Sequence, residues 1–178
     1  MSETILVTGA SAGFGQAICR RLVADGYRVI GSARRIDKLH ALQEELGEAF
    51  YPLQMDVTDL SQVDHALASL PKAWERVDVL VNNAGLALGL APAYEAEVAD
   101  WLTMIQTNIV GLTYLTRKIL PQMVERNDGY IINLGSTAGT VPYPGANVYG
   151  ASKAFVKQFS LNLRADLAGK KIRVSNIE

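Results

Sequence analysis

The fold is decided near the start of the chain, by Ile5-Leu6-Val7-Thr8-Gly9-Ala10-Ser11-Ala12-Gly13-Phe14-Gly15. The stretch begins as a short apolar strand and continues into a glycine-rich turn, and Gln16 to Asp25 then has the apolar spacing of a helix. Glycines in such a turn let backbone N–H groups approach a pyrophosphate, whose charge also suits the positive end of the helix. The stretch therefore predicts a dinucleotide site, although a simple tight turn is the alternative. Its candidate residues are Gly9, Ala10, Ser11, Ala12, Gly13, Phe14 and Gly15.

Strands and helices alternate along the rest of the chain. Further strands are predicted at 27–32, 50–55, 77–81, 129–135 and 172–177, and helices at 36–46, 60–70, 97–125 and after Tyr149. Strand-helix-strand units of this length form parallel crossovers, and the strongly apolar fourth strand suits a sheet covered on both faces. The sequence therefore predicts one α/β domain over residues 1–178, a Rossmann-type doubly wound parallel sheet in three layers. In the helix at 97–125 we expect breaks at Asn108 and Gly111, and Pro121 at a further break or in a late first turn.

Composition and charge exclude several classes of protein. The chain has 178 residues, of which 49% are hydrophobic and 20% charged, an ordinary globular composition. Its formal net charge of −1 provides no basic excess for nucleic acid or for an anionic membrane surface. No apolar run approaches the length of a membrane span, and no signal-peptide pattern precedes the first strand. We therefore expect a cytoplasmic protein that binds neither nucleic acid nor a membrane.

The histidines and the single cysteine indicate no metal and no disulfide. His40 and His65 stand alone on predicted helices, without Cys, Asp or Glu at ligand spacing, so we expect no metal site. Cys19 cannot form a disulfide within the chain and lies in an apolar helical stretch. It is predicted to be a small core side chain in a reducing compartment.

The residues just past the second strand indicate which dinucleotide is bound. The sequence there is Ala33-Arg34-Arg35, with no carboxylate before Asp37. A site for NAD usually presents an acidic residue to the ribose 2′-hydroxyl, whereas a site for NADP presents arginine to the 2′-phosphate. Two guanidiniums can hold a phosphate through forked, charge-assisted hydrogen bonds, so Arg34 and Arg35 predict NADP. A solvated arginine pair at a helix start is the alternative.

Polar and small residues follow two further strands. Asp56 and Val57 end the third strand, where Asp56 either accepts from an adenine amino group or begins the loop and caps the turn before the next helix. The fourth strand closes with Asn82-Asn83-Ala84-Gly85, whose small residues allow close approach to a ribose. Asn108 lies among apolar neighbours, and a buried amide needs partners. It is either a structural kink holder or part of a polar, watered channel.

A tyrosine and a lysine stand four residues apart in Val148-Tyr149-Gly150-Ala151-Ser152-Lys153, at the start of an apolar, proline-free run. Positions four apart share one face of a helix, so the two side chains should project side by side. A fixed positive charge beside a phenol favours the phenolate, which makes a tyrosine suitable for acid/base catalysis near neutral pH. The alternative is a half-buried aromatic residue next to a solvated lysine.

Five features together closely resemble the short-chain dehydrogenase/reductase family, over the whole chain. They are the glycine-rich turn, Asn82-Asn83-Ala84-Gly85, Asn108, Ser136 and Tyr149-x-x-x-Lys153. The sequence around these motifs, such as Gly129-Tyr130-Ile131-Ile132-Asn133-Leu134-Gly135-Ser136-Thr137, is similar to the NADP-dependent 3-hydroxy acid dehydrogenases. Those enzymes act on serine, allo-threonine and related short 3-hydroxy acids.

The resemblance implies a role for each candidate catalytic residue. Ser136 would polarise the substrate oxygen, and Tyr149 would exchange a proton with the substrate hydroxyl. Lys153 would support Tyr149 and anchor the nicotinamide ribose of NADP, while Asn108 would hold a water for Lys153. The resemblance also implies a homo-tetramer or homodimer formed by the helices that contain Asn108 and follow Tyr149. Candidate apolar contacts of that interface are Leu112, Leu115, Phe155, Phe159 and Leu163, although helix-to-sheet packing is expected to use some of them.

Members of the family continue beyond the strand at 172–177, so we expect the last C-terminal elements of the fold to be missing from this sequence. Two other functions remain open at this point. One is a non-catalytic NADP-binding sensor or scaffold that keeps the fold without turnover. The other is a reductase of the same family with a different carbonyl substrate, such as a ketoacyl thioester, a sugar or a steroid.

Overall fold

A computed structural model describes residues 3–178, which form one six-stranded sheet with helices on both faces. All the strand pairs are parallel, and the order across the sheet is β3-β2-β1-β4-β5-β6. The chain moves outward from β1 to β3 and then returns to β4, so a crevice opens at the carboxyl ends of β1 and β4. The predicted doubly wound parallel fold is confirmed. The strands are β1 (Thr4–Thr8), β2 (Arg28–Ala33), β3 (Phe50–Gln54), β4 (Val79–Asn82), β5 (Gly129–Leu134) and β6 (Ile172–Ile177).

Six α-helices connect the strands and bury an apolar core on each face of the sheet. One core lies between the sheet and the first two helices, and the other lies between the sheet and the third, fifth and sixth helices. The helices are α1 (Gly13–Ala24), α2 (Ile36–Leu46), α3 (Leu60–Ala68), α4 (Val98–Ile105), α5 (Leu112–Arg126) and α6 (Asn147–Asp166). Short 3₁₀ turns occupy Gly47–Ala49 and Thr137–Gly139.

The predicted long helix is continuous, and its irregularity is a π-helical turn at Gln106–Gly111 that joins α4 to α5. Gly111 is needed there because a Cβ at this position would lie 2.7 Å from the carbonyl oxygen of Val57. The prediction that Pro121 stands at a break or in a first turn is wrong, because it lies inside α5. The buried apolar residues of this helix, such as Ile119 and Met123, hold it against the sheet, and that packing outweighs the hydrogen bond lost at the proline.

The proposed interface residues divide into two groups. Leu112, Leu115 and Leu163 are buried within the chain's own structure and are the members of the set that do not face solvent. Helix-to-sheet packing already uses these side chains. Phe155 remains 38% exposed and stacks on Phe159, with the ring centroids 5.8 Å apart.

Cys19 lies on the face of α1 that packs against the sheet and is fully buried, as predicted for a core side chain. Burial raises the pKa of its thiol to about 12, so the reactive thiolate is disfavoured at neutral pH.

Within residues 3–178, no helix is long and apolar enough to cross a membrane. No group of three His, Cys, Asp or Glu residues in the same range could hold a metal ion.

Candidate active site

The glycine-rich turn between β1 and α1 is packed so closely that it requires glycine. Gly9 has a left-handed backbone, with φ of +70°. A Cβ on Gly15 would lie 2.3 Å from the carbonyl oxygen of Gly9 and 2.6 Å from Nδ2 of Asn83. Among residues 3–178, no side chain caps the N-terminus of α1, and the first turn of this helix contains no acidic residue. Its backbone N–H groups are therefore available to an anion, which is what the pyrophosphate of a dinucleotide requires.

We expect Gly15→Ala to lower the stability of the fold by about 1–3 kcal/mol, because the added methyl group overlaps backbone atoms that cannot rotate away. The measurement is the free energy of unfolding in urea. Gly26→Ala is the control, since its φ of +88° imposes strain but nothing lies within 4 Å of the added Cβ. A Gly15→Ala variant as stable as the native chain would contradict the packing described for this turn.

A cleft of about 420 Å³ runs along this turn and over the carboxyl ends of the central strands. Most of the predicted cofactor residues line it. Ala10 does not, because its side chain is fully buried in the core beneath the turn, and Tyr149 and Lys153, also predicted to contact the cofactor, lie outside this cleft. The predicted residues that line the cleft are Gly9, Ser11, Ala12, Gly13, Phe14, Gly15, Arg34, Arg35, Asp56, Val57, Asn83, Ala84 and Gly85.

Two arginines, Arg34 and Arg35, stand at the edge of this cleft. Arg35 donates to Oγ of Ser11, from Nη2 at 2.9 Å and from Nε at 3.3 Å. Gln54 donates from Nε2 to the carbonyl oxygen of Arg34 at 3.2 Å, which fixes the backbone there. Within residues 3–178, neither Arg34 nor Arg35 forms a salt bridge with a carboxylate. Two guanidiniums at the edge of this cleft fit a phosphate group.

Asp56 lines the cleft and shapes the loop after β3. Its Oδ1 accepts from the backbone N–H of Thr58 at 2.9 Å and from the hydroxyl of Thr58 at 2.7 Å. The expectation that Asp56 begins the loop and caps the turn before the next helix is confirmed by these two bonds, whereas the N-cap of α3 itself is Asp59, which accepts from the N–H groups of Ser61 and Gln62. The position of Asp59 directly before the apolar spacing of this helix is a signal that sequence reasoning missed.

The segment after β4 is tied to β1 by a threonine that sequence reasoning did not single out. The hydroxyl oxygen of Thr8 accepts from the backbone N–H groups of Asn83 at 3.0 Å and of Ala84 at 2.9 Å. Asn83 donates from Nδ2 to the carbonyl oxygen of Thr8 at 2.7 Å. The Asn83 amide therefore aligns the two central strand ends, and it does so beside Gly15, where the turn is most crowded.

A second cleft, of about 560 Å³, contains three of the four predicted catalytic residues. Ser136, Tyr149 and Lys153 all line it, although they come from the end of β5 and the start of α6. The residues that this cleft shares with the first are Phe14, Asn83, Gly85 and Leu86. The two clefts therefore adjoin, and a ligand lying along the glycine-rich turn would extend toward Tyr149.

Lys153 is buried at the base of the second cleft. Its Nζ donates to the carbonyl oxygen of Leu134 at 2.7 Å and lies 5.9 Å from the centroid of the Tyr149 ring. The side chain is almost enclosed, and burial lowers the pKa of its ammonium group from the ordinary value of 10.5.

The lowered pKa of Lys153 makes the stability of the fold depend on pH in a defined direction. Between the folded-state pKa and 10.5, the unfolded chain holds a proton on this lysine that the folded chain has released. Stability contributed by this site therefore rises as pH rises through that window. We therefore compare the unfolding temperatures of the native chain and of Lys153→Met. As pH increases from neutral toward 10.5, the unfolding temperature of the native chain should rise relative to that of the variant. A constant difference between the two proteins across this range would contradict the shift.

Ser136 is prepared to donate a hydrogen bond into the cleft. Its Oγ accepts from the backbone N–H of Ala138 at 3.1 Å, at the start of the 3₁₀ turn. A hydroxyl has one proton and two acceptor positions, so the Ser136 proton remains available to an oxygen in the cleft.

Asn108 does not line either cleft, because its side chain is 1% exposed and lies behind their walls. It donates from Nδ2 to the carbonyl oxygen of Leu86 at 2.9 Å and to Oγ of Ser152 at 3.0 Å, and its Oδ1 accepts from the Leu86 N–H at 2.9 Å. The side chain thus holds the loop after β4 against α6. Sequence reasoning did not identify Ser152 as its partner.

A second buried polar group, also missed from the sequence, lies beneath the clefts. Nδ2 of Asn82 donates to Oγ1 of Thr116 at 3.0 Å and to Oδ1 of Asn133 at 2.8 Å. Asn133 in turn donates from Nδ2 to the hydroxyl of Ser160 at 2.9 Å. These bonds join β4, β5, α5 and α6 under the site, at positions where an unpaired amide would be costly.

Comparison with known proteins identifies the family. The family model described as short chain dehydrogenase matches residues 3–178. The chain belongs to the short-chain dehydrogenase family. The resemblance seen in the sequence is therefore confirmed.

Several individual members of the short-chain dehydrogenase family are close to this chain. It is 61% identical over 177 residues to a probable NADP-dependent dehydrogenase of Haemophilus influenzae, covering 99% of this chain and 70% of that protein. It is 60% identical over 174 residues to the NADP-dependent 3-hydroxy acid dehydrogenase YdfG of Salmonella typhi, covering 98% of this chain and 70% of that protein. A solved structure, the closed form of serine dehydrogenase complexed with NADP⁺, superimposes with a TM-score of 0.97 at 58% identity, covering 98% of this chain and 71% of that one.

Proposed function

We propose that this protein is an NADP-dependent oxidoreductase that transfers hydride between NADP(H) and a short 3-hydroxy acid or alcohol. The observation that carries the proposal is the junction of the two clefts. One has the glycine-rich turn and the arginine pair that a phosphorylated dinucleotide requires, and the other has Ser136, Tyr149 and Lys153. The relatives named for NADP-dependent dehydrogenase activity support the same cofactor.

The residues of the first cleft fit NADP. The glycine-rich turn and the free N-terminus of α1 would hold the pyrophosphate, and Arg34 and Arg35 would hold the 2′-phosphate. Asp56 and Val57 would lie against the adenine end, and Asn83 to Gly85 against the ribose nearer the second cleft. When bound, NADP supplies the site that accepts or releases the hydride.

The residues of the second cleft would move the proton that accompanies the hydride. Tyr149 would take the proton of the substrate hydroxyl during oxidation and return it during reduction. Ser136 would hold the substrate oxygen with its available proton. Lys153, fixed on Leu134, would place a cation near the Tyr149 ring. Asn108 would act by holding the wall of the cleft in place.

The substrate class is supported by the names of the relatives, which include a 3-hydroxy acid dehydrogenase and a serine dehydrogenase at 60% and 58% identity. We propose substrates of the L-serine, L-allo-threonine and 3-hydroxypropionate type. The test is the initial rate of NADP reduction, with NAD as the control cofactor, on these three compounds and a set of simple secondary alcohols. Turnover of the 3-hydroxy acids with NADP is expected. NADP binding without turnover of any of them would contradict the proposal and favour a sensor.

We further propose that the protein is cytoplasmic and that residues 1–178 act as a single domain.

We also propose that the chain forms a homo-tetramer or a homodimer. A contact between subunits is supported by large apolar side chains that are exposed to solvent on α4 and α6. They are Val98, Leu102, Ile105, Phe155 and Leu161. Sedimentation at several protein concentrations tests the assembly.

A further inference from the structure

Ser152 lies between Tyr149 and Lys153 in α6, and its side chain is only 1% exposed. Its hydroxyl oxygen lies 2.7 Å from the carbonyl oxygen of Tyr149 and 3.0 Å from Nδ2 of Asn108. A carbonyl oxygen can only accept, so the hydroxyl donates to Tyr149 and must accept from Asn108. Ser152 therefore links the backbone of the helix that carries Tyr149 to the π-helical turn that carries Asn108.

Asn108 extends this link to the loop after β4. One N–H of its amide donates to Ser152 and the other donates to the carbonyl oxygen of Leu86, whose own N–H donates back to Oδ1. With these partners only one orientation of the amide works, because a flipped amide would direct donors at the Leu86 N–H. Each hydrogen bond in such a buried chain polarises the next and strengthens it.

The hydrogen-bonded link reaches the clefts at Leu86, because Leu86 lines both clefts where they join. We propose that Ser152 is a positioning residue for the reaction. Through Asn108 it holds the Leu86 backbone, and with it the shared wall of the two clefts, in register with Tyr149 and Lys153. The inference rests on the proposed function, since it concerns the geometry of that same site.

Ser160 in the same helix provides a matched control. Its side chain is also 1% exposed, it donates to the carbonyl oxygen of Val156 at 2.7 Å, and it accepts from Nδ2 of Asn133 at 2.9 Å. It has the same hydrogen bonds to a helix carbonyl and to an asparagine amide as Ser152, but its partner Asn133 bonds Asn82 and not the Leu86 backbone. Ser160→Ala and Ser152→Ala should therefore lose similar amounts of stability.

The first measurement is hydrogen exchange at the Leu86 amide in the protein without cofactor. In Ser152→Ala the Asn108 amide loses one partner and gains freedom to rotate, so we expect exchange at Leu86 to accelerate about tenfold, as loss of one buried hydrogen bond implies. In Ser160→Ala the Leu86 rate should stay at the native value. Equal rates in the native protein and in Ser152→Ala, or equal acceleration in both variants, would overturn the inference.

The second measurement is turnover with NADP. We expect Ser152→Ala to lower kcat about tenfold relative to Ser160→Ala, with KM for NADP within about twofold, because misplacement of the cleft wall affects the reacting geometry more than binding. Equal kcat in the two variants would overturn the positioning role even if Leu86 exchange accelerates. Absence of turnover in the native protein would contradict the proposed function, and the Leu86 exchange would still decide whether Ser152 controls the loop.

A cysteine variant serves if Ser152→Ala does not fold. Ser152→Cys fills the space but replaces the hydroxyl with a weak donor and acceptor. We expect it to accelerate Leu86 exchange and lower kcat in the same direction as alanine. Native exchange and native turnover in a folded Ser152→Cys protein would overturn the inference.

Discussion

Tyr149→Phe is expected to lower kcat by about 10³-fold while NADP binding stays within a few-fold, because the change removes the proton-transfer group and leaves the ring in place. Tyr149 is half-buried at the second cleft and stands on the same helix face as Lys153. The measurement pairs steady-state turnover with NADPH binding followed by fluorescence. A selective loss of turnover identifies the hydroxyl as the group that exchanges the proton.

Tyr130→Phe is the matched control for this substitution. Its hydroxyl lies 2.8 Å from Oγ of Ser175, in a part-buried pair, and it lines neither cleft. Removing it should lower stability by about 1 kcal/mol and leave turnover near the native value. Substantial turnover in Tyr149→Phe, or an equal loss in both variants, would rule out the proton-transfer role of Tyr149.

The double substitution Arg34→Ala with Arg35→Ala should weaken NADP binding roughly 100-fold or more, because two charge-assisted hydrogen-bonding groups at the phosphate are lost. NAD has no 2′-phosphate, so its affinity should change by only a few-fold. The measurement is the dissociation constant of each cofactor at one fixed salt concentration. The quantity to compare is the ratio of the NADP constant to the NAD constant in the variant and in the native protein.

Arg20→Ala with Arg21→Ala gives the same change in net charge away from the cleft. These arginines lie on α1 in surface salt bridges, Arg20 with Glu45 and Arg21 with Asp25. Such exposed pairs contribute little to stability, so the control variant should fold and should bind both cofactors normally. Equal losses of NADP and NAD affinity in the Arg34 and Arg35 variant would refute the phosphate assignment.

The sheet and its helices could be predicted because their patterns are local. The apolar run at 77–81 contributes the fourth strand, Val79–Asn82, of a sheet buried on both faces. The glycines that lead into α1 mark a turn that tolerates no side chain at Gly15. Spacing alone placed Tyr149 and Lys153 on one helix face. The family assignment made from the same motifs is confirmed.

Features that depend on contacts between distant segments could not be predicted. The packing of Met123 and Ile119 that keeps α5 continuous through Pro121 involves elements far apart in the chain. The links from Thr8 to Asn83 and from Asn108 to Ser152 join residues 75 and 44 positions apart, and a sequence pattern carries no information about such pairs. The chemical roles of Ser136, Tyr149, Lys153 and the cofactor residues stay predictions.

Transfer of a labelled hydride tests the central claim most directly. The protein would be incubated with NADP and 3-hydroxypropionate that carries deuterium at both C3 positions. The reduced cofactor would then be isolated and its mass measured by mass spectrometry. If the joined clefts bring substrate and cofactor together for direct transfer, the NADPH will carry one deuterium, and Tyr149→Phe will yield almost none. Reduced cofactor without deuterium would contradict direct hydride transfer, and the same labelled yield from Tyr149→Phe would contradict the role of Tyr149 in that reaction.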